Sequence, residues 1–141
     1  MRTHGAVVDL LGRPAARALR AGDVEAAIAR VTPRTFKTFK DVFQLDRKRM
    51  SRVLCVGERT VDRMLRPGYK VPEDVADRML RIARILREAE DALEGRESAV
   101  RWLTSEVPAL GRRVPLEMMR TDLGAKLVED ELVRLKHGMY S

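Results

Sequence analysis

Two short helices that cross steeply share one small apolar contact patch, and residues 47–65 are spaced to supply one. Met50 and Leu54 fall on the inner face of a first helix, Val56 plugs a turn, and Val61, Met64 and Leu65 hold a second helix down. Gly57 stands where the second helix, Glu58 to Leu65, would be capped, and Pro67 forbids its continuation. The spacing predicts a helix–turn–helix. What remains outward on its second helix is Arg59, Thr60, Arg63 and Arg66, while Lys48, Arg49 and Arg52 face out from the first.

Charge singles out the same stretch. Residues 33–70 hold eleven Lys/Arg against four acids, which is the whole +7 net charge of the 141-residue chain and leaves the remainder neutral. A confined excess of base is an electrostatic footprint for nucleic acid, whereas a diffuse one suggests only solubility. Arginine forks read guanine edges in the major groove, which suits Arg59, Arg63 and Arg66 with Thr60. Lys48, Arg49 and Arg52 suit phosphate contacts that set register without reading sequence. The plainer alternative is a solvated basic hairpin with no ligand. In this motif the turn usually carries Gly where Cys55 stands and Ala where Ser51 stands, so a left-handed backbone at Cys55 would be strained. One such reader gives only about 10⁻⁴–10⁻⁶ M non-specific binding. Specificity usually comes from doubling it over half-sites about 34–36 Å apart, so a homodimer or larger assembly is expected.

Aromatic residues are only 4% of the chain, and the abundance of Leu, Val, Ala, Met and Arg is that of a helical protein. A single cysteine, Cys55, excludes an internal disulfide and a cysteine-based zinc site and fits a reducing cytosol. The run Ala6–Leu11, broken by Asp9, is too short for a signal segment, and no apolar run approaches the roughly 18 residues of a membrane span. The expectation is a cytoplasmic protein without a membrane role.

Start and stop signals divide the chain. Pro14 opens a helix to Ala21 with Gly22 as its stop, and Asp23 caps another through Arg30; this arm, 1–31, packs beside the next domain or self-associates. Thr32–Pro33 starts the 32–70 domain, with Phe36, Phe39, Val42 and Phe43 on one stripe. From Pro72, the positions Val75, Met79, Ile82, Leu86 and Leu93 keep a helical period, with Asp74–Arg78 and Asp77–Arg81 as i,i+4 pairs. Glu94–Gly95–Arg96 ends this helix, which reads as a connector over 71–95. Within 96–141, Ala99, Trp102 and Leu103 mark a short helix, Pro108 to Arg113 a loop, and Pro115–Met119 a turn or two. Thr121 caps a last helix with Leu123, Leu127, Val128, Leu132 and Leu135 inward, closed by His137–Gly138. Trp102, Met118 and Met119 read as core more readily than as binding anchors.

Catalysis finds little support. The two histidines, His4 and His137, lie near the termini without a nucleophile–base pair, and no phosphate-cradling loop or metal-ligand spacing appears. Cys55 reads as a packed turn residue, and Glu129, Asp130 and Glu131 as a solvated face. No cofactor or metal is expected. Two binding classes remain: an inhibitor of a partner enzyme that also binds its own promoter, or a stand-alone transcriptional repressor whose C-terminal region only oligomerises.

An ordered series of short motifs favours the first. Ala99-Val-Arg-Trp102-Leu103, Pro108-Ala-Leu110-Gly111, Pro115-Leu116-Glu-Met-Met, Thr121-Asp-Leu-Gly124, then Val128, Leu132 and His137-Gly138-Met-Tyr140-Ser141 resemble the toxin-binding domain of the Xre/MbcA/ParS antitoxins, the partners of RES-domain toxins. The helix–turn–helix and the long helix from Pro72 also resemble that family, so the likeness spans about residues 32–141. Arg112 departs from it, standing where the family tends to have a second Gly. The resemblance implies an all-α fold: an Xre-like helix–turn–helix domain joined by a long helix to a small helical toxin-binding domain. It also implies a bacterial antitoxin that covers the active site of an NAD-degrading RES toxin and represses the shared operon by binding operator DNA. On that reading Tyr140 and the Ser141 carboxylate plug the toxin, beside Gly138 and Met139, with Arg134 and His137 at the rim. A frayed terminus is the bland alternative.

Overall fold

Capping residues decide where each helix begins. In the computed structural model, which describes residues 10–138, helix α1 (Arg13–Arg20) carries Pro14 in its first turn and gives way to Gly22 at φ 76°. Asp23 caps α2 (Val24–Ala29), its Oδ1 accepting from the Ala26 amide at 3.0 Å. Thr32 caps α3 (Pro33–Phe43), where its own amide donates to Thr35 Oγ1 at 3.1 Å. The motif stretch forms α4 (Arg47–Leu54) and α5 (Glu58–Met64). After these come α6 (Glu73–Leu93), α7 (Arg96–Leu103), a 3₁₀ turn at Pro108–Leu110, α8 (Pro115–Met118) and α9 (Asp122–Gly138). Among the described residues the architecture is all-α, and no helix is long and apolar enough to cross a membrane.

Helix α6 is the axis of the molecule. Val75, Met79, Ile82 and Leu86 are buried as their period predicts, and so are Ala76, Leu80, Ala83, Ile85, Ala89 and Ala92. Burial therefore wraps beyond one stripe, and α2, α4, α7 and α9 all pack against this helix. Its alanines leave room for that many neighbours, because interiors pack at crystal-like density. Buried apolar residues from Leu10 to Leu132 form one continuous core. The stretch 71–95, read from sequence as a connector, is thus the element that both halves share. Leu10, Leu11, Ala15, Ala16, Ala27 and Val31 bury the described part of the N-terminal arm in that core. Phe36, Phe39 and Phe43 lie there too, with the Phe39 and Phe43 rings tilted 54° at 5.0 Å between centroids.

The last helix corrects the sequence reading. Val128 and Leu132 point inward and Leu135 is half-buried, but Leu123 is 71% exposed and Leu127 39%. Gly124 explains the rotation: a Cβ there would lie 1.9 Å from the Met118 carbonyl oxygen. That approach turns the Ala125–Val128–Leu132 side onto the core and carries Leu123 and Leu127 to the rim. Glu131, expected in a solvated acidic face, is instead buried.

Candidate nucleic-acid interface and partner-facing surface

Met50, Val53 and Leu54 of α4 meet Val61 and Met64 of α5 in the interior, with Val56 half-buried at the turn. Val53 was not in the expected set. Leu65 was, yet it lies just beyond α5 and is 41% exposed, so it does not hold that helix down. Cys55 ends α4 in left-handed backbone, φ 57° and ψ 45°. Ser51 explains how the turn closes without glycine. Its hydroxyl donates to the Val56 carbonyl while its own carbonyl accepts from the Val56 amide at 3.1 Å. The Cys55 side chain is exposed rather than packed.

Arg47 bridges the acids of the second helix, 3.1 Å from Asp62 and 3.8 Å from Glu58. Lys48, Arg52, Arg59, Arg63 and Arg66 are exposed, and none forms an ion pair among the described residues. Arg47 offsets one of the two charges on Glu58 and Asp62. The five cations still outnumber the acids left over, so the surface potential of α4–α5 is positive. Thr60 is half-buried beside them. Arg66 stands in the turn after α5 rather than on it, its amide donating to the Arg63 carbonyl at 3.0 Å. Arg49 is half-buried, and its Nη2 donates to the Thr104 carbonyl at 3.1 Å. That contact ties the basic motif to the end of α7.

Arginines of α6 make the remaining ties. The expected pairs form, Arg78 with Asp74 at 3.2 Å and Arg81 with Asp77 at 3.1 Å. Each arginine also reaches farther. Arg78 donates to the Leu54 carbonyl at 3.3 Å and the Arg120 carbonyl at 3.4 Å; Arg81 donates to the Met119 carbonyl at 3.0 Å and to Asp122 at 2.6 Å. Helix-terminal carbonyls lack an intrahelical partner, and these guanidinium groups supply one. Arg84 forks onto Glu129 at 2.8 and 3.4 Å; these hydrogen bonds raise its pKa above the usual arginine value despite partial burial. Glu88 is raised above the ordinary carboxylate value, by burial first and by the neighbouring Glu129 charge second.

In the C-terminal part, Gly111 and Arg112 both hold positive φ, 71° and 61°, and Val107 pairs with Arg113 across that turn. Arg112 thus adopts the conformation that glycine would favour. Thr121 caps α9 as expected, its Oγ1 accepting from the Gly124 amide at 3.0 Å. Met118 and Met119 are core and Trp102 is half-buried against it. At the far end of α9, Arg134, His137 and Gly138 are exposed. Arg134 lays Nε and Nη2 on the Glu131 carboxylate, so the charge of that buried acid is paired. The expected plug residues Met139, Tyr140 and Ser141 lie outside the described residues. The outward positions of Leu123, Leu127 and Val133 went unseen in the sequence, because helical spacing marks an apolar stripe without saying which of two adjoining stripes is covered.

Comparison with known proteins finds two likenesses. Antitoxin Xre of Yersinia enterocolitica serotype O:8 / biotype 1B (strain NCTC 13174 / 8081) is 33% identical over 75 residues, which cover 52% of this chain and 50% of that protein. The chain therefore spans about half the length of the curated relative it matches. Residues 88–138, from the last part of α6 to the end of α9, match the family described as Antitoxin Xre/MbcA/ParS C-terminal toxin-binding domain.

Proposed function

We propose that this chain is an antitoxin that grips a toxin through residues 88–138 and represses its own operon through α4–α5. The match of 88–138 to a toxin-binding domain carries the reading. The five cations that form no ion pair among the described residues, on and beside a buried helix pair, support its second half. The toxin is a RES-domain enzyme that degrades NAD, and the C-terminal domain inhibits it by covering its active site. The chain itself acts by binding and not by catalysis, works in the cytoplasm, and meets its operator as a homodimer or larger assembly. Arg59, Thr60, Arg63 and Arg66 read bases, whereas Lys48, Arg52 and the free edge of Arg49 hold phosphates.

Co-expression with the RES-domain toxin encoded beside it is the direct test. Growth arrest by the toxin should be relieved by this chain; persistent arrest defeats the reading. Removing residues 138–141 should weaken the rescue if the tail enters the toxin, and full rescue would dismiss the plug. For the DNA half, fluorescence anisotropy with the upstream duplex should show Arg59→Ala/Arg63→Ala losing at least about tenfold in affinity. A phosphate-only variant such as Lys48→Ala should lower all duplexes alike and reduce the salt slope by about one.

A further inference from the structure

Among the described residues, five large apolar side chains are substantially exposed: Val24, Leu65, Leu123, Leu127 and Val133. Three of the five lie on α9, inside the segment that matches a toxin-binding domain. Leu123 and Leu127 are one turn apart, and Arg134 and Gly138 fall on the same side of the helix, within about 60° of arc. A ridge therefore runs from the start of α9 toward the chain's end. Beside its first two leucines lies an open groove of about 480 Å³, lined by Arg112, Arg113, Arg120, Glu106, Glu117 and others. Arg112, Arg113 and Arg120 outnumber the two glutamates, and Arg112 and Arg120 form no ion pair among the described residues. The walls are held firmly. Arg78 ties the Arg120 carbonyl, Thr121 caps α9, and Gly124 seats that helix against Met118. Arg112 holds the turn beside the groove in left-handed backbone, φ 61°.

We propose that Leu123 and Leu127, with the arginine-lined groove at their side, form the face on which the toxin docks, and that the toxin segment seated there carries apolar side chains flanked by carboxylates. This rests on the antitoxin reading and makes it specific, since it moves the anchor from the chain's last residues to the first half of α9. Apolar anchors in a polar, charged rim are the usual anatomy of a stable interface. The positive excess of the groove selects the sign of the rim opposite.

Calorimetric titration of the full chain into the RES-domain toxin that the proposed function calls for decides the matter, with melting curves on every variant. Leu123→Ser/Leu127→Ser is expected to lose at least about tenfold in affinity with an unchanged melt, since both side chains are exposed. Arg120→Glu should weaken binding severalfold, more at low salt than at high salt. Val24→Ser, an exposed apolar residue elsewhere, should bind as the parent does. If the double variant loses its melting transition, Leu123→Ser alone decides, with a loss of affinity expected. Parent-like affinity of the leucine variants overturns the proposal, and so does a double variant that dissociates a self-assembly while toxin affinity is kept. Failure of the parent chain to bind the toxin overturns the antitoxin reading, and the docking face with it.

Discussion

Cys55 and Arg112 occupy left-handed backbone at φ 57° and 61°, where an L side chain crowds its own carbonyl. Replacing either with Gly removes that crowding and adds back some unfolded-chain entropy, so a net gain of about 0.5–1 kcal/mol is expected in urea unfolding. Gly124 is the opposite case. A methyl group 1.9 Å from the Met118 carbonyl must push α9 off α8, and Gly124→Ala should lose about 1–3 kcal/mol in the same measurement. Glu88 offers a pH test. Its folded pKa is raised, by burial before anything else, so ionising it opposes folding. Its contribution is favourable below the ordinary carboxylate range and is lost as pH rises through the raised value. Glu88→Gln should therefore match the parent at acid pH and melt higher at neutral pH. The cysteine strain was legible in the sequence. The Gly124 contact and the Glu88 environment were not, because both depend on residues brought near by the fold.

Several helix ends were legible from capping chemistry, although Asp46, whose Oδ1 accepts from the Arg49 amide at the head of α4, was missed. Asp23, Thr32, Gly57 and Thr121 stand at the starts of α2, α3, α5 and α9, and the Glu94–Gly95 pair marks the close of α6. Thr121→Ala should cost about 1 kcal/mol, seen as fraying of α9 in amide exchange before the core opens. The outward face of α9 was misread, since Leu123 and Leu127 extend the inward stripe by less than half a turn. Only the seat of Gly124 on Met118 chooses between the two faces. In α4–α5 the cations kept their outward positions, but Arg49 is partly engaged with Thr104, a residue 55 positions away. No local rule anticipates such a partner.

At the scale of the molecule, α6 decides how many folding units there are. Ile82, Ile85, Leu86 and Ala89 belong to a core that the basic motif and the C-terminal helices both enter. A fragment of residues 96–141 lacks that surface, so its far-UV circular dichroism should show little helix, while the full chain unfolds in one cooperative transition. Retained helix in the fragment would show that α7–α9 stand alone. The arginine ties from α6 reach both halves as well, Arg78 to Leu54 and Arg120, Arg81 to Met119 and Asp122. The basic surface and the leucine ridge are thus held by one helix.

Sequence alone determined the helical class, most of the cap positions and the place of the positive charge, because each depends on residues a few positions apart. The burial of α6 on more than one side, the outward turn of Leu123 and Leu127 and the arginine ties between halves were decided only in three dimensions. Periodicity records that a face is apolar; which neighbour covers it, and whether any does, depends on packing among segments distant in the chain.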